Sequence, residues 1–175
     1  MTETQINTLK SAIHTVKDYP KAGIMFRDVT GILDDATAFK LTIDILANKF
    51  KDGGFTKVVG TEARGFIFGA PLALALGVGF VPVRKPGKLP RETFSQAYQL
   101  EYGEDCLEIQ KEALSPGDKV ALIDDVLATG GTAQAAQALI EKAGAEMVSS
   151  HFLLEIDFLK GRDKLQGEIQ SFIKS

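Results

Sequence analysis

The sequence predicts an α/β fold, a mostly parallel central sheet with helices on both faces. Three observations carry that expectation. Apolar strand-like segments alternate with helical ones in the order strand, crossover helix, strand, the signature of parallel pairing. The run Val120-Ala121-Leu122-Ile123 is a short apolar stretch that follows the turn signal Ser115-Pro116-Gly117-Asp118 and precedes a helix-forming stretch. And 175 residues, 45% hydrophobic and 25% charged, suffice for one domain over 1–175 with a substantial core, uninterrupted by repeats or a low-complexity linker.

Each element follows from local pattern. Ile6, Leu9, Ile13 and Val16 recur at helical spacing, so an amphipathic helix is expected to end before Tyr19-Pro20, with His14 beside its apolar stripe. Residues 36–50 read as a second helix stopped by Asp52-Gly53-Gly54. A short strand at 57–60, a helix at 66–76 closed by Gly77, and a strand at 79–84 come next. Residues 91–105 are polar and tyrosine-bearing, and are expected to be a long loop of the kind that forms lids. After the strand at 120–123, residues 133–142 form a helix ending at Gly144, and 147–155 a further strand in which His151 is structural.

Composition narrows the function. A net charge of −3 argues against nucleic acid as a bulk partner. No apolar run approaches the roughly 20 residues that span a bilayer, and the start Met1-Thr2-Glu3-Thr4-Gln5 has neither the basic nor the apolar region of a signal peptide, so a cytoplasmic protein without a membrane partner is expected. The single Cys106 permits no internal disulfide, and with His14 and His151 distant in sequence it suggests no metal cluster.

The chemistry concentrates in Val120 to Thr132, where the strand runs into Asp124-Asp125 and then the small turn Ala128-Thr129-Gly130-Gly131-Thr132 that opens a helix. Ligands of open α/β sheets bind at such strand ends. Gly130 and Gly131 let the backbone approach a ligand, free N–H groups and the helix dipole attract a phosphate, and Thr129 and Thr132 add hydroxyl donors. Like charges keep Asp124 and Asp125 off that phosphate, so they should face hydroxyls or a metal-associated part of the same molecule. A ribose diol joined to a 5-phosphate fits both halves. A nucleotide hydrolase would need a P-loop, which occurs nowhere in the chain, and Gly77-Val78-Gly79 meets Pro82 where a dinucleotide fingerprint needs its third glycine.

Two further loops complement this cradle. Thr61-Glu62-Ala63-Arg64-Gly65 follows a strand and opens a helix, so its amides and the Arg64 guanidinium can bind a second anion. Arg84, Lys85, Lys88 and Arg91 gather cations without an intervening acid, which suits a pyrophosphate. In Ile24-Met25-Phe26-Arg27 an aromatic ring is available to stack on a purine.

The 120–132 segment resembles the phosphoribosyl-pyrophosphate motif of the type I phosphoribosyltransferases, and 21–28, 62–66, 84–90, 101–103 and 107–110 are similar to the adenine branch of that family. The resemblance implies a small N-terminal hood, a mobile active-site loop and a sharp turn at Glu62-Ala63-Arg64 that can include a cis peptide at Glu62–Ala63. It assigns Asp124, Asp125, Ala128, Thr129, Gly130, Gly131 and Thr132 to ribose 5-phosphate, and Ala63, Arg64, Arg84 and Lys88 to pyrophosphate. Met25, Phe26 and Arg27 go to adenine, Glu101 to general acid/base work, and Tyr102 with Tyr98 to covering the site. The implied reaction is transfer of 5-phosphoribosyl from phosphoribosyl pyrophosphate to adenine, with Mg2+ held mainly by substrate and water rather than by a protein metal site, in a homodimer. Two alternatives stand beside it: a guanine, hypoxanthine or xanthine phosphoribosyltransferase, and a non-catalytic regulator that binds the same sugar phosphate.

Overall fold

A computed structural model describes residues 2–19, 21–99 and 103–175. It divides into two compact units, 1–49 and 50–175.

In the first unit, α1 (Glu3–Ser11) begins at a capping box in which Thr2 and Gln5 satisfy each other's backbone amides. The helix is shorter than its apolar spacing suggests. His14–Lys17 form a strand, β1, paired antiparallel with β2 (Met25–Asp28). Ile13 and Val16 therefore lie beyond the helix, and His14 is an exposed strand residue. Local pairing overrides the period here, because Asp18 takes a positive φ and closes the hairpin: its amide donates to the Ile24 carbonyl and its carboxylate accepts from Gly23. Two helices follow, α2 (Thr30–Asp34) and α3 (Ala36–Phe50), the latter with the expected bounds.

The second unit is built on a parallel sheet of β3 (Lys57–Thr61), β4 (Gly79–Val83), β7 (Lys119–Leu127), β8 (Glu146–Glu155) and β9 (Glu168–Lys174), in the spatial order β4-β3-β7-β8-β9. Helix α4 (Arg64–Leu76) links β3 to β4 and α5 (Gly131–Lys142) links β7 to β8. Gly77, at φ 68°, ends α4 and donates its amide to the last turn. Strand β9 and the two 3-10 turns before it, Asp157–Leu159 and Gly161–Lys164, had no counterpart in the sequence reading.

Val58, Val59, Leu122, Ile123, Phe68, Leu72 and Phe152 are wholly buried in this unit. Each such side chain contributes roughly 1.5–3 kcal/mol of burial free energy. His151 is buried among them, its Nε2 2.8 Å from the Ser149 hydroxyl and its ring against Phe50, a structural residue as expected.

The expected long loop at 91–105 is instead a hairpin arm, β5 (Thr93–Gln99) paired antiparallel with β6 (Glu104–Gln110). Its polarity disguised a period-2 pattern in which Phe94, Gln96 and Tyr98 are half-buried while Ser95, Ala97 and Gln99 face water. A bridge between Arg84 and Glu108, with amide–carbonyl bonds of 2.9 and 2.6 Å, ties the arm to the end of β4.

Candidate active site

The chain leaves β3 through α4 toward β4 and leaves β7 through α5 toward β8, so the connections diverge from the seam between two adjacent strands. A crevice forms where such connections part at the carboxyl ends of the strands. Residues 61–65 and 124–132 occupy that end of β3 and β7 and supply two of the four segments singled out from sequence.

Asp124 and Asp125 are both buried, at 8% and 4% exposure, although a pair of acids in a turn would ordinarily be solvated. The Asp124 carboxylate accepts from the Asp125 amide at 2.9 Å. Burial pushes the Asp124 carboxyl well above its ordinary range, the neighbouring Asp125 charge adds to the effect, and the Thr61 hydroxyl opposes it. Asp125 is paired with the Arg64 guanidinium, which is half exposed. The start of α4 lies directly over these carboxylates: a Cβ at Gly65 would stand 2.9 Å from the Ile123 carbonyl and 3.0 Å from the Asp124 carboxylate.

Beyond Asp125, Ala128, Thr129 and Thr132 are half-buried and Gly130 and Gly131 buried. Gly130 takes φ 80°, ψ −6°, and α5 starts without a side-chain cap, which leaves its first amides to an outside acceptor. Tyr98 of the arm packs over this turn, 3.2 Å from where a Gly131 Cβ would be, and its hydroxyl meets Thr132 and Asp105.

The basic cluster is organised by Glu62. Its carboxylate accepts from Arg84 Nε at 3.1 Å, from the Lys85 amide at 2.9 Å and from the Lys88 ammonium. Burial alone would raise the Glu62 carboxyl, but the hydrogen bond from Lys88 and those from Lys85 and Arg84 outweigh it and hold it below its ordinary value. Arg84 also reaches the Lys88 carbonyl at 3.3 Å and lies 6.0 Å over the Phe66 ring. Lys85 pairs with Asp105 of the arm. The Glu62–Ala63 peptide is cis. Arg84, Lys88, Ala63 and Arg64 thus belong to one end of the sheet. Asp105, and the carboxylate of Glu62 as the acceptor for these cations, had no role in the sequence expectations, whereas Tyr98 was expected to cover the site. An acid two positions before Arg64 was the available signal for Glu62.

In the first unit, Met25 is exposed, Phe26 half-buried and Arg27 donates to the Thr15 hydroxyl across the β1–β2 pair. Tyr19 meets Phe26 edge to face, with ring centroids 5.1 Å apart. Glu101 and Tyr102 lie outside the described residues.

Two adjacent buried carboxylates, one with its charge disfavoured, suit a divalent cation brought in on substrate oxygens. Among the described residues, no group of three or more His, Cys, Asp or Glu side chains is placed to hold an ion without them, and no helix is long and apolar enough to cross a membrane.

Residues 28–171 match the model of the phosphoribosyl transferase domain. An adenine phosphoribosyltransferase of Colwellia psychrerythraea is 61% identical over 165 residues, covering 94% of this chain and 91% of that one. The chain belongs to the adenine phosphoribosyltransferase family. Solved members share its fold: the enzyme of Thermoanaerobacter pseudethanolicus superposes with a TM-score of 0.93 at 51% identity, covering 97% of this chain and 99% of the other. That of Saccharomyces cerevisiae, complexed with an imino-altritol bisphosphate and adenine, superposes with a TM-score of 0.93 at 44% identity, covering 98% and 99%.

Proposed function

We propose that the chain, as one functional domain over 1–175, transfers the 5-phosphoribosyl group of phosphoribosyl pyrophosphate to adenine, releasing AMP and pyrophosphate with inversion at the anomeric carbon. The observation that carries this reading is the pair of buried carboxylates set immediately before the uncapped start of α5. The 5-phosphate takes the amides of Ala128, Thr129, Gly130, Gly131 and Thr132 with the two threonine hydroxyls, and the diol takes Asp124 and Asp125. Pyrophosphate takes the Ala63 amide with Arg64, Arg84 and Lys88, the last two already oriented by Glu62.

As the bond to pyrophosphate lengthens, positive charge grows on the ribose ring. Asp124, whose charge burial disfavours, gains from that positive neighbour, so its stabilisation is greater in the transition state than in the ground state. Adenine stacks on Phe26, with Met25 and Arg27 at its edge. Glu101 exchanges the proton at the purine's imidazole and Tyr102 covers the site as the arm closes. Mg2+, held mainly by substrate oxygens and water, would neutralise the leaving pyrophosphate. A homodimer in the cytoplasm completes the proposal; exposed Ile67 and Leu74, seven residues apart on one face of α4, support the dimer.

The test is nucleotide formation from adenine, guanine, hypoxanthine and xanthine, each with phosphoribosyl pyrophosphate and Mg2+. AMP is expected as the dominant product. Comparable or faster use of a 6-oxopurine would reassign the base, and tight binding of the sugar phosphate without product from any base would make the chain a regulator.

A further inference from the structure

We infer that Arg162 is a positioning residue for the 5-phosphate turn: it anchors the segment on which the backbone at 128–130 rests. The inference builds on the proposed role of 128–132 in binding the 5-phosphate, and concerns how that turn keeps its aim.

The contact is backbone on backbone. A Cβ on Gly130 would overlap the Gly161 carbonyl oxygen, while one on Gly161 would overlap the Ala128 carbonyl and lie 2.8 Å from the Gly130 nitrogen. With no side chain between them to absorb movement, a displacement of Gly161 reaches the phosphate-facing amides directly.

Gly161 is held in turn by its neighbour. Arg162 donates Nε to Glu155 Oε1 at 3.0 Å, Nη2 to Glu155 Oε2 at 2.6 Å and to the Ser171 hydroxyl at 3.2 Å, and Nη1 to the Ile169 carbonyl at 2.7 Å. One planar fork therefore ties the 3-10 turn to β8 and β9 at once. Glu155 is buried, and it stands in register with Leu127, the last strand residue before the phosphate turn. The Ile156 amide donates to the Leu127 carbonyl at 2.9 Å. The ion pair and the phosphate turn thus leave neighbouring strands at the same level.

Net stability is a poor explanation for such a pair. Desolvating Glu155 offsets much of its attraction to Arg162, whose side chain is 34% exposed, and an ion pair with one partner in water adds little. Direction is what a bidentate fork supplies and an apolar contact does not.

Arg162→Met, Arg162→Lys and Glu155→Gln should be compared with the wild type for ribose 5-phosphate affinity by calorimetry, for KM of each substrate, for kcat and for melting temperature. Arg162→Met is expected to weaken ribose 5-phosphate and raise KM for phosphoribosyl pyrophosphate by roughly ten- to hundredfold, the scale on which an ångström of misplacement acts. KM for adenine should barely move, and Arg162→Lys should recover only part of the loss because its ammonium cannot span both carboxylate oxygens. If Arg162→Met does not fold, the near-isosteric Glu155→Gln carries the comparison with the same expectation. Unchanged ribose 5-phosphate affinity, equal losses for both substrates, or losses that only track melting temperature would overturn the inference. A Thr129→Ala/Thr132→Ala control separates the two levels. If that control keeps its ribose 5-phosphate affinity, the 5-phosphate assignment itself fails; if the control weakens while the Arg162 and Glu155 variants do not, only the role of Arg162 fails.

Discussion

Arg64 and Asp125, 61 positions apart in sequence, are joined by an ion pair across the seam between β3 and β7. The pair offsets one of two adjacent buried charges and leaves the guanidinium half exposed at that strand end, where the proposed pyrophosphate site lies. Arg64→Ala leaves Asp125 buried beside Asp124 without that partner. The expected stability loss is about 1–3 kcal/mol, toward the lower end because Arg64 is half exposed, together with a raised KM for phosphoribosyl pyrophosphate. Urea unfolding and steady-state kinetics measure the two effects, and unchanged values of both would dissolve the link.

Acid sensitivity should trace in part to Glu62. Its carboxyl lies below the ordinary 4.5 when folded and returns there on unfolding. Its stabilising contribution is therefore complete above about pH 4.5 and is lost as pH falls through the lower, folded value. Asp124 works in the opposite sense, since its raised carboxyl returns stability as it protonates on acidification. Glu62→Gln should flatten the acid limb of unfolding free energy against pH; curves parallel to the wild type would remove Glu62 from that limb.

The parallel sheet and its strand ends were legible because strands buried on both faces leave continuous apolar runs and helices between them leave spaced ones. The turn at 128–130 was legible as a strand–helix junction because small residues and glycines separate an apolar run from a helix-forming one. What failed did so for local reasons. Asp18 closed a hairpin in place of a third helical turn, and the arm alternated polar with half-buried polar residues such as Gln96, hiding its period. The role of Glu62 depends on Arg84 and Lys88, 22 and 26 positions away, and the bracing of Gly130 by Gly161 on two backbones meeting in space, neither of which a spacing in sequence encodes.

Gly65→Ala tests how closely α4 must approach Asp124. The added methyl would stand 2.9 Å from the Ile123 carbonyl, 2.9 Å from the Thr61 hydroxyl and 3.0 Å from Asp124. Lifting the helix start should cost about 1–3 kcal/mol and reduce kcat/KM for phosphoribosyl pyrophosphate. Wild-type unfolding and kinetics would show that the contact relaxes freely.

Phe26→Ala should impair the use of adenine far more than binding of the sugar phosphate. Stacking of a base on an aromatic is worth roughly 1–3 kcal/mol, which sets the rise in KM for adenine. Equal losses for both substrates would return Phe26 to a packing role beside Tyr19.

The most direct measurement is a crystal structure with AMP or ribose 5-phosphate bound. The phosphate should sit on the amides between Ala128 and Thr132, with Asp124 or Asp125 on the ribose hydroxyls and Gly161 still against Gly130. A ribose phosphate bound elsewhere, with the 128–132 turn empty and both carboxylates turned from the sugar, would contradict the assignment.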